Sequence, residues 1–314
     1  SDVSPSRRCG PMATAEPDRK KLYVRGAVTN TLGLLTLLGI SCIREGLWLY
    51  VAIALGLQYA VFALHGLPHR SEKYYDLSGS FTHLAVVAAS LFETRARTPR
   101  QQLLSLGSAV WMTRLGTFLY IRILKDGKDA RFDPLKPSWL AFCGAWTLQA
   151  CWVCLIQLPL LLLNTTDDTA TPLGPVDGLA LLLWLLGFGC ECAADAQKFA
   201  FRLDAANKGK FITHGLWRYS RHPNYFGEIL VWSSTALAVS VAGLRASDYS
   251  LLWAWLSPAF TALLLLKVSG IPMVEAAGLK KWGDDPRYRH YVEHTSVLVP
   301  WFPARPLSNE PALL

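Results

Sequence analysis

Eight apolar runs follow one another along the chain, at 27–43, 47–67, 76–94, 101–124, 138–163, 177–196, 225–244 and 251–274, with polar stretches between them. Each is close to the roughly 20 residues that a helix needs to cross the hydrocarbon of a bilayer. Backbone groups in lipid must be satisfied inside the segment, and the alternation of a membrane barrel is absent, so the runs predict helices. Only residues 41–46 separate the first two runs, which leaves one re-entrant unit as the alternative to two spans. The predicted fold class is all-α, a polytopic integral membrane helix bundle with seven or eight transmembrane helices. Residues 1–25, with Pro5, Pro11 and Pro17 among scattered charges, read as a disordered leader. Residues 26–303 read as one transmembrane domain and 304–314 as a C-terminal tail. No charged segment followed by an apolar stretch and a small-residue cleavage site opens the chain, so no signal peptide is expected.

Composition narrows the class. Hydrophobic residues make up 52% of the chain and charged residues 17%, against about 25% charged in an ordinary soluble domain. That apolar content excludes a disordered chain, and seven cysteines in 314 residues are too sparse for a disulfide scaffold. The net charge of +8 reads as the Lys and Arg excess of cytoplasmic loops. No basic run with interleaved aromatics lies outside the apolar runs, so no nucleic-acid partner is expected. Residues 122–136 and 198–221 are basic, as is the tail with Lys280, Lys281, Arg287 and Arg289. Residues 164–177 carry Asp167, Asp168 and Asp177 and no Lys or Arg. Eight spans with both termini cytoplasmic satisfy these loops together, although Arg95, Arg97 and Arg100 then form a basic loop on the outer side. Asn164-Thr165-Thr166 is formally a glycosylation triplet there, discounted for its closeness to the membrane.

A charge in a transmembrane segment costs about 2.5–3.5 kcal/mol on the insertion scales, so each needs a reason. Arg114 sits in mid-run, where it serves either a buried ion pair between helices or a site for a polar substrate group. Glu191, Asp195, Lys198 and Arg202 are spaced to share one helical face, the acids deeper in the bilayer. A salt-bridge ladder is the plain reading of that stripe; buried acids at its inner end point instead to a polar cavity. The densest polar stretch carries Trp217, Arg218, Arg221, His222, Pro223, Asn224, Tyr225 and Glu228. Pro223 suits the first position of the next helix, which sets Asn224 and Glu228 one turn apart at its cytoplasmic end. A helix N-terminus, guanidinium forks and flat aromatics suit a phosphate-bearing cofactor with a ring. An interfacial belt of Trp, Tyr and Arg is the plainer alternative. Cys151 and Cys154 have no second pair to complete a zinc site, His83 reads as a hydrogen-bonded core residue, and no metal site is expected.

The run Gly215-Leu216-Trp217-Arg218-Tyr219-Ser220-Arg221-His222-Pro223-Asn224-Tyr225-Phe226-Gly227-Glu228 resembles the signature of the DUF1295 branch of the steroid 5-alpha-reductase superfamily. So do Ser269-Gly270-Ile271-Pro272-Met273-Val274-Glu275, Gly283-Asp284-Asp285-Pro286-Arg287-Tyr288 with Tyr291, and Tyr75-Asp76-Leu77-Ser78-Gly79-Ser80. Gly127-Lys128-Asp129-Ala130-Arg131-Phe132 and Glu191-Cys192-Ala193-Ala194-Asp195-Ala196-Gln197 resemble that branch as well, and the similarity covers roughly residues 50–303. The resemblance implies an all-helical membrane reductase that holds NADPH near its cytoplasmic end, in a cofactor half at about 177–303. It carries nucleotide ligands over to Asp195 and Arg202 and to Asn224 and Glu228, with Glu191 standing where the reductases have Asn. Tyr288 and Tyr291 correspond loosely to further tail positions. Steroid reductases polarise an enone with an early-helix Glu and a Tyr just before an Arg. With Arg114 as that Arg, Trp111 holds the Tyr position, and Glu45 is the only acid in the first runs.

The chemistry implied is NADPH-dependent reduction of an activated C=C bond in a lipophilic substrate (a steroid, sterol or other lipid) that enters from the bilayer. Tyr75 as acid, Asp76 and Arg114 are the expected catalytic residues. The expected cofactor residues are Glu191, Asp195, Lys198, Arg202, Trp217, Arg218, Arg221, His222, Asn224, Tyr225, Glu228, Tyr288 and Tyr291, with Arg202 and Arg218 on phosphates. One rival reading is an S-adenosylmethionine-dependent lipid or isoprenylcysteine methyltransferase, a class that shares Arg-His-Pro-x-Tyr-x-Gly. A non-catalytic lipid-binding protein is the other. The lipid membrane and the lipophilic substrate are the expected partners, with no obligate protein partner. The expected location is the endoplasmic reticulum membrane for a eukaryotic chain or the inner membrane for a bacterial one.

Overall fold

A computed structural model describes residues 19–94, 97–166 and 172–302. Residues 1–18 of the expected leader, the expected tail at 304–314, and Arg95, Asp167 and Asp168 lie outside the described residues. Each apolar run forms helix, and no strand occurs among the described residues. Helix α1 spans Arg19–Ile43, and α2 starts as Leu47–Val61 and continues through a π turn to His69. Then come α3, Tyr75–Glu93, α4, Pro99–Asp126, α5, Trp139–Ile156, and α6, Leu158–Asn164. Helix α7 spans Pro175–Leu203 and α8 Pro223–Ala246. A 3-10 turn at Tyr249–Trp255 leads into α9, Leu256–Leu263, followed by a π turn, α10, Ile271–Trp282, and α11, Pro286–His294. The protein is an all-α membrane bundle.

Local chemistry sets the helix ends. Thr98 caps α4 in a reciprocal box with Gln101, and Pro99 occupies its first turn. Pro223 opens α8 as the sequence predicts. Helix α1 begins at Arg19, inside the stretch expected to be disordered. The first two runs are separate helices because Gly46, at φ +90°, reverses the chain between them. Two runs are broken. Gln157, followed by Pro159, divides 138–163 into α5 and α6, and 251–274 is divided before Gly270.

Among the described residues six helical stretches are long and apolar enough to cross a membrane: Arg19–Ile43, Leu47–His69, Trp139–Ile156, Pro175–Leu203, Pro223–Ala246 and Tyr249–Trp282. Helices α3 and α4 hold the other two expected positions and carry more polar residues, among them Ser78, Ser80, Thr82, His83, Arg100 and Arg114. Loops meet at two ends of the bundle. At one end Arg44 pairs with Asp248 at 2.5 Å, Arg100 with Asp177 at 2.8 Å, and Thr94 donates to the Asn164 carbonyl at 2.7 Å. At the other, Arg122 pairs with Asp76 at 3.2 Å and Lys136 with Glu72 at 2.7 Å. The Arg100 pair explains how a basic residue sits in the loop expected on the outer side. Asn164 is buried and its amide donates to Ser90, which closes the formal glycosylation triplet. Leu32, Leu35 and Leu38 of α1 and Leu179, Leu182 and Leu186 of α7 face outward, as lipid-bathed helices require.

Candidate functional site

Helices α7 and α8 cross where two glycines face each other. A Cβ on Gly227 would lie 2.5 Å from the Gly187 carbonyl oxygen and 2.7 Å from the Glu191 nitrogen, so only glycine permits the approach. That contact sets Glu191 and Asp195 on α7 against the first turns of α8. Asn224 Nδ2 donates to Asp195 Oδ1 at 3.1 Å. From α4, Arg114 reaches Glu191 Oε1 and Asp195 Oδ2, each at 2.6 Å, and Trp111 Nε1 donates to Glu191 Oε2 at 2.9 Å. Two acceptors are left over. Asn224 Oδ1 is buried without a hydrogen-bond partner. Among the described residues the half-buried Glu228 carboxylate makes no hydrogen bond or ion pair, and its charged neighbours are Glu191, Asp195 and Arg114.

The four charges expected on one face of α7 are divided among three neighbours. Glu191 and Asp195 meet Arg114, whereas Lys198 lies 4.3 Å over the Trp217 ring. Arg202 lines a cavity of about 350 Å³ with Arg122, Ile123, Lys128, Asp129, Ala130 and Arg131. Burial favours the neutral form of Asp129, but the hydrogen bonds from Arg131 outweigh it and hold the carboxyl below the usual range. Tyr225 on α8 has charges of both groups as electrostatic neighbours, Glu228 and Asp195 as well as Arg131 and Arg122.

The stretch before α8 docks on α7 and on the tail. Trp217 Nε1 donates to the Ala194 carbonyl at 3.0 Å, and the Tyr291 hydroxyl donates to the Trp217 carbonyl at 2.8 Å. Arg221 and His222 meet Glu275 at 3.1 and 3.2 Å, and His222 stacks on Tyr225. Burial holds the His222 pKa down to about 4 against the pull of Glu275, so the ring is neutral near pH 7. Tyr288 packs against Phe211 and Trp282. These residues brace the site. Arg218, expected on a phosphate, is exposed and makes no hydrogen bond or ion pair among the described residues.

The expected catalytic trio is not brought together. Tyr75 donates its hydroxyl to the Ala145 carbonyl at 3.0 Å and packs on Phe132 and Trp146. Asp76 pairs with Arg122 at 3.2 Å, and Arg114 is held by two carboxylates, which is the ion-pair reading of its mid-run position. Sequence reasoning did not assign Arg122, Lys128 and Arg131, although Gly127-Lys128-Asp129-Ala130-Arg131-Phe132 stood out as a motif. A second cavity, about 500 Å³ and apolar, lies between α4 and α7 with α8 behind it. Leu103, Gly107, Val110, Leu181 and Trp184 line it, and the Arg100 to Asp177 pair lies at one end. Trp184 stacks on Phe188, which lies about one turn before Glu191, the first of the acid pair on α7.

The sequence pattern of the family described as "Protein of unknown function (DUF1295)" matches residues 62–295, well over half of the chain. The chain belongs to the DUF1295 family. Every residue of the polar network and of the cationic cavity lies inside the DUF1295 match. An uncharacterized protein of Schizosaccharomyces pombe is 24% identical over 185 residues, which cover 50% of this chain and 53% of the relative. The DUF1295 chain thus spans about half the length of that relative. No solved structure matches it.

Proposed function

We propose that this DUF1295 protein is a membrane-embedded reductase that uses NADPH to reduce an activated C=C bond in a lipophilic substrate. The observation that carries the reading is the convergence of Asp195, Asn224 and Glu228 at one helix crossing, with two acceptors left without donors. A buried acceptor without a donor is costly, and a bound ligand that brings donors removes the cost. The carboxamide and ribose hydroxyls of a nicotinamide nucleotide are donors of that kind, so the residues present fit the group. Asn224 and Glu228 would hold it, with Asp195 fixing the Asn224 amide and Arg114 fixing Asp195. When bound, NADPH supplies the hydride.

The rest of the chemistry falls to the chain. The apolar cavity between α4 and α7 supports a lipophilic substrate, since ligand sites of roughly 300–1,000 Å³ are usually apolar with few polar groups. The stacked Trp184 and Phe188, with buried Trp111, keep water from the acid pair on that side. The Tyr75 hydroxyl is engaged by Ala145, so no proton step is assigned to it.

The reading is tested by thermal denaturation of the detergent-solubilised protein with NADPH, NADH, S-adenosylmethionine or no addition. NADPH at a hundred times its Kd should stabilise by ~2.7 kcal/mol, and Asn224→Ala should remove the response while the unliganded protein still folds, with a lower midpoint because Asp195 loses a donor. Stabilisation by S-adenosylmethionine alone would move the protein to the methyltransferases. Silence to all three would favour a lipid-binding protein without chemistry.

A further inference from the structure

Beyond the acid network, the chain builds a basic cup at the same end of the bundle. Arg122 lies eight residues past Arg114 on α4, and Arg202 seven past Asp195 on α7. Each is therefore ~10–12 Å further along its helix, in the same direction. Lys128 and Arg131 come from the loop that Gly127, at φ +76°, turns out of α4. That loop is anchored from behind. Buried Glu72 accepts the Asp129 backbone N–H at 2.8 Å and pairs with Lys136 at 2.7 Å. Asp129 in turn braces the Arg131 guanidinium and accepts the Arg131 backbone N–H at 3.0 Å.

The charge of the cup is unbalanced. Its lining holds four bases, Arg122, Lys128, Arg131 and Arg202, and one acid, Asp129. Asp76 and Asp133 pair with Arg122 and Lys128 from outside the lining. Arg202 has no carboxylate partner among the described residues. Guanidiniums fixed by carboxylates behind them present their remaining N–H groups in a set fork, the geometry that suits phosphate oxygens. A phosphate monoester carries about −1.5 to −2 at neutral pH and several acceptor oxygens, so it meets this excess better than a singly charged phosphodiester.

We propose that Arg122, Lys128, Arg131 and Arg202 form a binding site for a phosphate monoester. On the reductase reading, on which this identification of the nucleotide rests, the monoester is the 2′-phosphate that distinguishes NADPH from NADH. The cup then sets cofactor choice, and it does so with residues that make none of the contacts at the Asp195 and Asn224 end.

The test is calorimetric titration of the full-length protein in detergent with adenosine 2′,5′-bisphosphate, adenosine 5′-monophosphate and inorganic pyrophosphate, alongside NADPH. Wild-type protein should bind the 2′,5′-bisphosphate at least tenfold more tightly than the 5′-monophosphate or pyrophosphate. Arg202→Gln, exposed and without a carboxylate partner, should fold normally and erase most of that preference. Arg131→Gln should do the same, with Arg131→Lys restoring part of it. A preference that survives Arg202→Gln and Arg131→Gln overturns the site, as does tighter binding of pyrophosphate or no binding of any phosphate compound. If the 2′,5′-bisphosphate binds through the cup while NADPH does not, the monoester site stands and the reductase reading fails. If NADPH binds equally to wild type and both variants, the reductase reading stands and the site fails.

Discussion

Arg114 sits midway along α4, where a lone guanidinium costs roughly 2.5–3.5 kcal/mol on the insertion scales. Glu191 and Asp195 neutralise it but bring two negative charges to one positive, so further donors are needed. Trp111 and Asn224 supply them. Trp111 and Glu191 are two of the positions where the chain departs from the expected reductase pattern, and they are hydrogen-bonded to each other. An indole is a donor only and a carboxylate an acceptor only, so the two departures compensate. Read one position at a time they are two losses; in the fold they are one exchange. His222 makes a separate case. Burial holds its pKa down to about 4, well below the ordinary 6.5, with Arg221 and Lys198 adding to that effect and Glu275 opposing it. The unfolded chain therefore binds this proton more readily, so stability is full above pH 6.5 and declines as the pH falls toward 4. Thermal midpoints should fall across that window, and His222→Gln should flatten part of the fall; an unaltered slope in the variant would assign the decline to other groups.

Helices α4 and α7 start at the same end of the bundle and run parallel, tied at intervals. Arg100 meets Asp177, and fourteen residues further along each helix Arg114 meets Glu191. The two ties are ~21 Å apart, and the apolar cavity fills the space beside them. Further along, Lys125 lies 4.5 Å over the Phe199 ring. Helix α8 completes the site through the glycine crossing, which makes a test possible at this scale. Gly227→Ala should lower the thermal midpoint, by about 1–3 kcal/mol of overpacking, and abolish the response to NADPH. Gly189→Ala, on the same α7 but with open space around its Cβ, should be neutral or stabilising by up to ~1 kcal/mol. Equal behaviour of the two variants would deny the crossing its role. The sequence pattern reveals helices, their proline starts and the acids of the site, because periodicity and capping are local. It does not reveal which neighbour each charged residue meets. Glu191, Asp195, Lys198 and Arg202 share a face by spacing yet reach Arg114, Trp217 and the basic cup, because neighbours are chosen by the crossing of other helices.

Across the whole molecule the positive charge is distributed by loop, and the loops come together at two ends. Helix was legible for all eight runs, whereas the break at Gln157 and the division before Gly270 depend on packing and turn geometry that no hydropathy window contains. Polar content makes α3 and α4 the revealing pair. Only six stretches pass on length and apolarity among the described residues, yet α3 and α4 run the same course as their neighbours and carry the ion pairs that join both ends. Polar groups on these helices find partners inside the bundle: His83 Nε2 meets Ser108 at 2.9 Å, although its Nδ1 has no partner among the described residues, and Gln58 on α2 donates to Thr82 at 2.8 Å. A helix judged by composition alone is charged the full desolvation of such groups; a packed helix is not. The two views differ in where residue 97 lies. In a background without the native cysteines, Arg97→Cys and Ser247→Cys should react with an impermeant maleimide from one side of sealed vesicles. Lys73→Cys and Lys208→Cys should react only from the other side. If Arg97→Cys instead labels together with Lys73→Cys, then α3 and α4 do not cross, the bundle has six spans, and the ties from Arg100 to Asp177 and from Arg114 to Glu191 cannot both exist in the membrane.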